Sequence, residues 1–137
     1  MQDKKTILYV DDYADNRRLL QRILESEGYI VVQAPDGTEA LKRLSEGSLD
    51  LALIDLHLPD TTGYELGARV REFPGYKSLP IIFVTAGDHD QAARIASPGL
   101  YDTFIQKPFE LDFLLTEIRL KLGLAPDKKF EVVPGQP

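Results

Sequence analysis

The sequence predicts an α/β fold, a five-stranded parallel sheet with helices on both faces. Three observations predict it. Short apolar runs alternate five times with longer segments of helical period. The runs are apolar almost throughout, as strands covered on both faces are. Turn residues stand between the two kinds of segment at most junctions.

Each element has its own signal. Thr6–Val10 is apolar after its first residue and forms the first strand. Asp15–Glu27 carries Leu19, Leu20, Ile23 and Leu24 on one helical stripe, and Gly28 stops it. Tyr29–Gln33 is the second strand. Pro35-Asp36-Gly37 makes a turn, and Ala40, Leu41 and Leu44 mark a second helix ending near Gly47. Leu51–Ile54 is the third strand. After a turn at Pro59-Asp60, Leu66 and Val70 mark a third helix, which Gly67 weakens by about 1 kcal/mol relative to Ala. Phe73-Pro74-Gly75 breaks it. Ile81–Val84 is the most β-prone run in the chain, and Asp88–Ser97 a short Ala-rich helix stopped by Pro98-Gly99. Thr103–Gln106 is the fifth strand. Leu111–Leu122 is the fifth helix, with Leu111, Leu114, Leu115, Ile118 and Leu122 toward the sheet. Five β-then-α units give the flavodoxin-like (βα)5 arrangement with strand order 2-1-3-4-5. The domain is expected over 1–122. Residues 123–137, with Pro126, Pro134, Pro137 and Lys128-Lys129, read as a tail or truncated linker with no output domain after them. The chain then stands alone or is a piece of a larger protein, and Met1 favours an intact N-terminus.

Composition narrows the function classes. A chain of 137 residues fits one domain, and 43% hydrophobic with 28% charged residues is an ordinary globular mix. Sixteen Lys plus Arg against 22 Asp plus Glu leave a net charge of −6, which argues against nucleic-acid binding through phosphate contacts. The absence of Cys excludes disulfides, thiolate zinc sites and Cys nucleophiles. Two histidines, His57 and His89, are too few for a tri-histidine metal site. The apolar runs Ile7–Val10 and Ile81–Val84 fall far short of the ~20 residues that span a bilayer. Lys4-Lys5 does not begin a signal peptide, because Asp11 ends the apolar stretch that follows. A soluble, cytoplasmic protein with no membrane partner is expected.

In open α/β sheets functional groups gather at the carboxyl ends of the strands. There the sequence places Asp11-Asp12 after the first strand, Asp55 after the third, Thr85 after the fourth and Lys107-Pro108 after the fifth. Three carboxylates converging at one rim repel one another. A divalent cation removes that penalty, and oxygen ligands with positions left for water suit Mg²⁺. Lys107 adds a second positive charge and Thr85 a hydroxyl. A nucleophilic carboxylate, a cation, an ammonium and a hydroxyl around one anion are what phosphoryl transfer to an aspartate requires.

Four segments carry a family likeness: Tyr9-Val10-Asp11-Asp12, the run Asp55-Leu56-His57-Leu58-Pro59-Asp60-Thr61-Thr62-Gly63, Val84-Thr85-Ala86 and Lys107-Pro108-Phe109. In their order and spacing the chain resembles the receiver domain of two-component response regulators, from about Thr6 to Leu122. The resemblance implies that Asp55 is the phosphoacceptor. It implies a Mg²⁺ held by the side chains of Asp12 and Asp55 and the backbone carbonyl of His57, with Asp11 behind them acting through water. Lys107 would pair with Asp55 and then with the phosphoryl group. Thr85 would hydrogen-bond a phosphoryl oxygen, Ala86 would leave room for the group, and Phe104 would be the aromatic that turns with Thr85 in a switch. A cis Lys107–Pro108 bond is also implied. The implied donor is a histidine kinase or phosphotransfer protein. The implied output is an effector protein or a homodimer contact through the fourth helix, fifth strand and fifth helix. Such a domain is a phosphorylated signalling switch rather than an enzyme, promoting its own phosphotransfer and dephosphorylation. Leu100 departs from the family pattern, which often has Gly there, and Pro98 shortens the fourth helix.

Plainer readings stand beside these. His57 alone reads as a partly exposed loop side chain, and His89 as a first-turn helix residue. An FMN carrier of the same fold needs a hydroxyl-rich phosphate loop where Asp11-Asp12 would repel the phosphate. The G-x-G-x-x-G and P-loop patterns are absent. An aspartate phosphohydrolase carries a second acid two residues beyond its nucleophile, where this chain has His57. The remaining alternative is a receiver-like binding module that signals without phosphorylation. Asp12, Asp55, Thr85 and Lys107, all present, favour the phosphorylated reading. On the fifth helix, Phe113, Leu120 and Leu124 are expected on the face away from the sheet, as a contact site. A tail folding back through Phe130, Val132 and Val133 is the competing explanation.

Overall fold

A computed structural model describes residues 4–85 and 103–125, with the backbone alone at Thr85 and Thr103. The strands are β1 (Thr6–Val10), β2 (Ile30–Ala34), β3 (Leu51–Asp55), β4 (Ile81–Thr85) and β5 (Thr103–Gln106). The helices are α1 (Ala14–Ser26), α2 (Gly37–Leu44), α3 (Gly63–Glu72) and α4 (Leu111–Lys121), the last being the fifth that the sequence predicts. The predicted fourth helix, 88–97, and the tail from 126 lie outside the described residues, and so do Ala86, His89 and Leu100. The five strands are parallel in the order β2-β1-β3-β4-β5, as expected. Among the described residues no helix is long and apolar enough to cross a membrane.

Side chains alternate across a strand, so each strand feeds two cores. Leu8, Val10, Ala52, Ile54, Ile81 and Phe83 meet α2 and α3 on one face, through residues such as Leu44, Leu66 and Val70. Ile7, Tyr9, Leu51, Leu53 and Ile82 meet Leu24 of α1 and Leu114 and Ile118 of α4 on the other. The strand order reverses between β1 and β3, and the carboxyl ends of these two central strands bring Asp11 and Asp55 to the same rim.

Three local expectations need correction. The second strand starts at Ile30, opposite Thr6, and not at Tyr29. Gly28 and Tyr29 are used in closing α1, where Tyr29 N–H bonds Leu24 C=O and Gly28 N–H bonds Glu25 C=O. Leu19 is 61% exposed and Leu111 is also exposed, although each belongs to the apolar stripe of its helix. They flank a groove of about 620 Å³ between α1 and the segment from Lys107 to Leu111, so the sheet covers neither. Leu124 is not on the outer face of the last helix. Leu124 N–H bonds Arg119 C=O at 2.9 Å and Gly123 N–H bonds Leu120 C=O at 3.1 Å, with Gly123 at φ 72°. This closure turns the chain back, and Leu124 packs half-buried on the second core. The helical period cannot be carried through that glycine. Phe113 and Leu120 are 52% and 53% exposed, as expected.

Candidate functional site

Asp55 is the last residue of β3, a strand buried along its whole length. Its carboxylate is fixed from two sides. His57 N–H donates to Oδ1 at 2.8 Å, and Lys107 Nζ donates to Oδ2 at 2.9 Å. Lys107 reaches in from the end of β5, and its bond to Pro108 is cis, as expected. The same ammonium stands 3.7 Å from Asp11 Oδ2. One cation thus bridges the carboxylates of two neighbouring strands. Burial alone would push the Lys107 pKa down. The hydrogen bond and charge of Asp55, with the charge of Asp11, outweigh it and raise the pKa above its ordinary value.

Asp11 is buried, and its oxygens are well supplied with donors. Tyr9 O–H donates to Oδ2 at 2.7 Å, Tyr13 N–H to Oδ1 at 2.9 Å and Asn16 Nδ2 to Oδ2 at 3.4 Å. Arg17 Nη1 donates to the Asp11 backbone carbonyl at 2.6 Å, tying the first turn of α1 to the end of β1. Asp12 is exposed. The three carboxylates thus differ in setting, with Asp11 and Asp55 buried and Asp12 open to solvent. Among the described residues no three acidic or imidazole side chains come close enough to hold a metal ion by themselves. The His57 side chain is exposed, and it is the His57 backbone N–H that touches Asp55, whereas the resemblance implies a role for the backbone carbonyl. Thr85 ends β4 opposite Gln106. Phe104 stands half-buried on β5 opposite Phe83 and packs against the first core.

The tyrosine hydroxyl is a member of the site that sequence reasoning missed. Tyr9 counted as one more apolar residue of a buried strand. Yet residues two apart on a strand share a face, so a tyrosine two places before Asp11 was a readable signal. Burial raises its pKa most, followed by the hydrogen bond to Asp11 and the negative charges of Asp11 and Asp55. Tyr9 and Lys107 act in the same direction on stability. Both hold their protons to higher pH in the folded chain. Above about pH 10 the unfolded chain releases them first and binds fewer protons, so stability falls as pH rises. Their contribution is complete below the unfolded values and is lost as pH climbs through the folded ones. The urea midpoint should drop over that alkaline range, and drop less steeply in Tyr9→Phe. An identical decline in both proteins would remove Tyr9 from the account.

The model of the response regulator receiver domain matches residues 7–119. The chain belongs to that family. Among solved structures it is similar to the response regulator TrrA of Thermotoga maritima in complex with Mg²⁺–BeF, with 33% identity and a TM-score of 0.76, covering 85% of this chain and 98% of that one. It is 41% identical over 125 residues to the transcriptional regulatory protein ResD of Bacillus subtilis, covering 90% of this chain and 50% of that protein. It is 34% identical over 116 residues to the CAI-1 autoinducer sensor kinase/phosphatase CqsS of Vibrio cholerae, covering 84% of this chain. The chain spans only 17% of the length of that kinase and half that of ResD. Receiver domains of this family serve two-component signalling, in response regulators and within sensor kinases.

Proposed function

We propose that this receiver domain accepts a phosphoryl group on Asp55 from a phosphohistidine of a histidine kinase or phosphotransfer protein. The observation that carries the reading is the Lys107 ammonium, 2.9 Å from Asp55 and 3.7 Å from Asp11 at the rim of the central strands. A carboxylate oxygen of Asp55 bonds to phosphorus as the phosphorus–nitrogen bond of the donor breaks, and the imidazole keeps the electron pair. Lys107 then pairs with the oxygens of the transferred group, and Thr85 supplies a hydroxyl to one of them. Ala86 leaves space for the group, and Phe104 turns when Thr85 moves toward it. Water later cleaves the acyl phosphate, releasing inorganic phosphate and restoring the carboxylate.

The donor set suits Mg²⁺: two carboxylates, Asp12 and Asp55, and the backbone carbonyl of His57, with water completing the shell and Asp11 behind it. All are hard oxygen donors, and so few protein ligands match the preference of Mg²⁺ for keeping several waters. When bound, the ion supplies neutralisation of the charge that collects on the phosphoryl oxygens. In the related TrrA structure the complex is with Mg²⁺–BeF. The test is incubation of the chain with acetyl phosphate. A single phosphoryl group should appear by intact mass with Mg²⁺ and not with chelator, and hydroxylamine should remove it. No uptake with Mg²⁺ present would favour the phosphorylation-independent binding module instead.

For output, Phe113 and Leu120 form an apolar pair exposed on α4, next to β5, where a monomer gains nothing from them. An effector protein or a second copy of the chain docks there. Phe113→Glu with Leu120→Glu should weaken effector binding or self-association in analytical ultracentrifugation while phosphorylation of Asp55 continues. Unchanged association would discard this surface.

A further inference from the structure

We propose that Asp60 is a positioning residue that clamps the loop between β3 and α3 onto the first turn of α2, and thereby holds the His57 carbonyl where a cation needs it. This rests on the metal reading above and extends it to a residue outside the site. The loop is closed at its base, where Gly63 N–H bonds Leu56 C=O at 2.9 Å and His57 pairs with Thr62 in an antiparallel bridge. At its tip the loop leaves β3 altogether. The Asp60 carboxylate accepts from Gly37 N–H and Thr38 N–H, each at 2.9 Å, and from Thr38 Oγ1 at 2.8 Å. These partners lie 22 and 23 residues away in the chain.

The contact is close. A Cβ on Gly37 would stand 2.6 Å from Thr61 Cγ2 and 3.3 Å from Asp60 Oδ1, so the two elements meet through a missing side chain. The Gly37 N–H first, then the Thr38 hydroxyl, hold the Asp60 pKa below its usual value. Nor is Asp60 the ordinary cap of this helix. That place is filled by Asp36, whose Oδ1 accepts from Glu39 N–H at 2.8 Å. The second carboxylate on the same helix end comes from the loop and acts on the loop. Fixing a backbone residue costs conformational entropy. A loop already pinned at base and tip spares that cost when its carbonyl takes a metal. The coupling is reciprocal, so metal occupancy must be felt at Gly37 and Thr38.

Mg²⁺ titrations of the full chain by isothermal calorimetry separate the clamp from the cap. Asp60→Ala should weaken Mg²⁺ binding about ten-fold, the range expected when the partner of a ligand is lost. Asp36→Ala should melt at lower temperature and bind Mg²⁺ like wild type, because it weakens α2 without freeing the loop. Asp60→Asn keeps an acceptor oxygen and should stay closer to wild type than the alanine variant. The Gly37 and Thr38 amide resonances should shift with Mg²⁺ in wild type and not in Asp60→Ala. Equal affinity in wild type and Asp60→Ala overturns the clamp, as does an equal loss in Asp36→Ala. A loss in Asp60→Asn as large as in Asp60→Ala assigns the effect to charge alone and overturns it too. Failure of wild type itself to bind Mg²⁺ overturns the metal reading and the clamp with it.

Discussion

Asp55→Asn should take up no phosphoryl group from acetyl phosphate under conditions where the wild-type chain takes up one. The amide has the shape of the carboxylate, and its oxygen still accepts from either His57 N–H or Lys107 Nζ, which meet the wild-type oxygens at 2.8 and 2.9 Å. The fold should therefore survive. What disappears is the anionic oxygen that bonds to phosphorus. Lys107 loses the negative charge beside it at Asp55, while that of Asp11 remains 3.7 Å away. Asp12→Ala should also fail, for a different reason: a proposed cation ligand is gone while the Asp55 carboxylate remains. Intact mass with and without Mg²⁺ checks both variants. Uptake by Asp55→Asn at the wild-type level would place the acceptor on another residue.

The sheet order was legible because every strand is a short apolar run and every connection returns the chain to the same end of the sheet. The site was legible for a related reason. Asp11, Asp55, Thr85 and Lys107 follow strand ends, and the parallel topology brings strand ends together without any need to know side-chain packing. Contacts across helix ends and loops were not legible. Leu124 looked exposed because nothing in the helical stripe shows that Gly123 reverses the chain, which its hydrogen bonds do. Leu19 looked buried because its stripe is right and its row is not. The Leu20 and Leu24 row faces the sheet, while Leu19 borders the groove beside Lys107. Asp60 looked like a turn residue. Its partners Gly37 and Thr38 belong to another β-α unit, and only the folded chain brings them within 2.9 Å. Asp11 and Asp12 are neighbours in sequence, yet the first is buried under donors and the second is exposed.

Gly63→Ala should damage stability and phosphorylation together, because the missing side chain is what lets α3 start against the end of β3. A Cβ at this position would lie 2.8 Å from Asp55 O, from Leu56 Cα and from Leu56 Cδ2. Two of these are backbone atoms of the strand end that carries Asp55, the proposed phosphoacceptor, and they have no rotamer to escape through. Gly63 N–H also bonds Leu56 C=O at 2.9 Å, so the close approach cannot be relaxed without losing that bond. Overpacking of this kind costs about 1–3 kcal/mol, which urea unfolding will read directly. The same displacement reaches the Asp55 carboxylate, whose two hydrogen bonds fix its approach to phosphorus. A reacting group misplaced by about 1 Å can cost roughly 100-fold in rate. The initial rate of phosphoryl uptake from acetyl phosphate, measured at a temperature where the variant is fully folded, should therefore fall far below wild type. If the variant unfolds at the wild-type urea concentration and is phosphorylated at the wild-type rate, the strand end and the helix start are not coupled through Gly63.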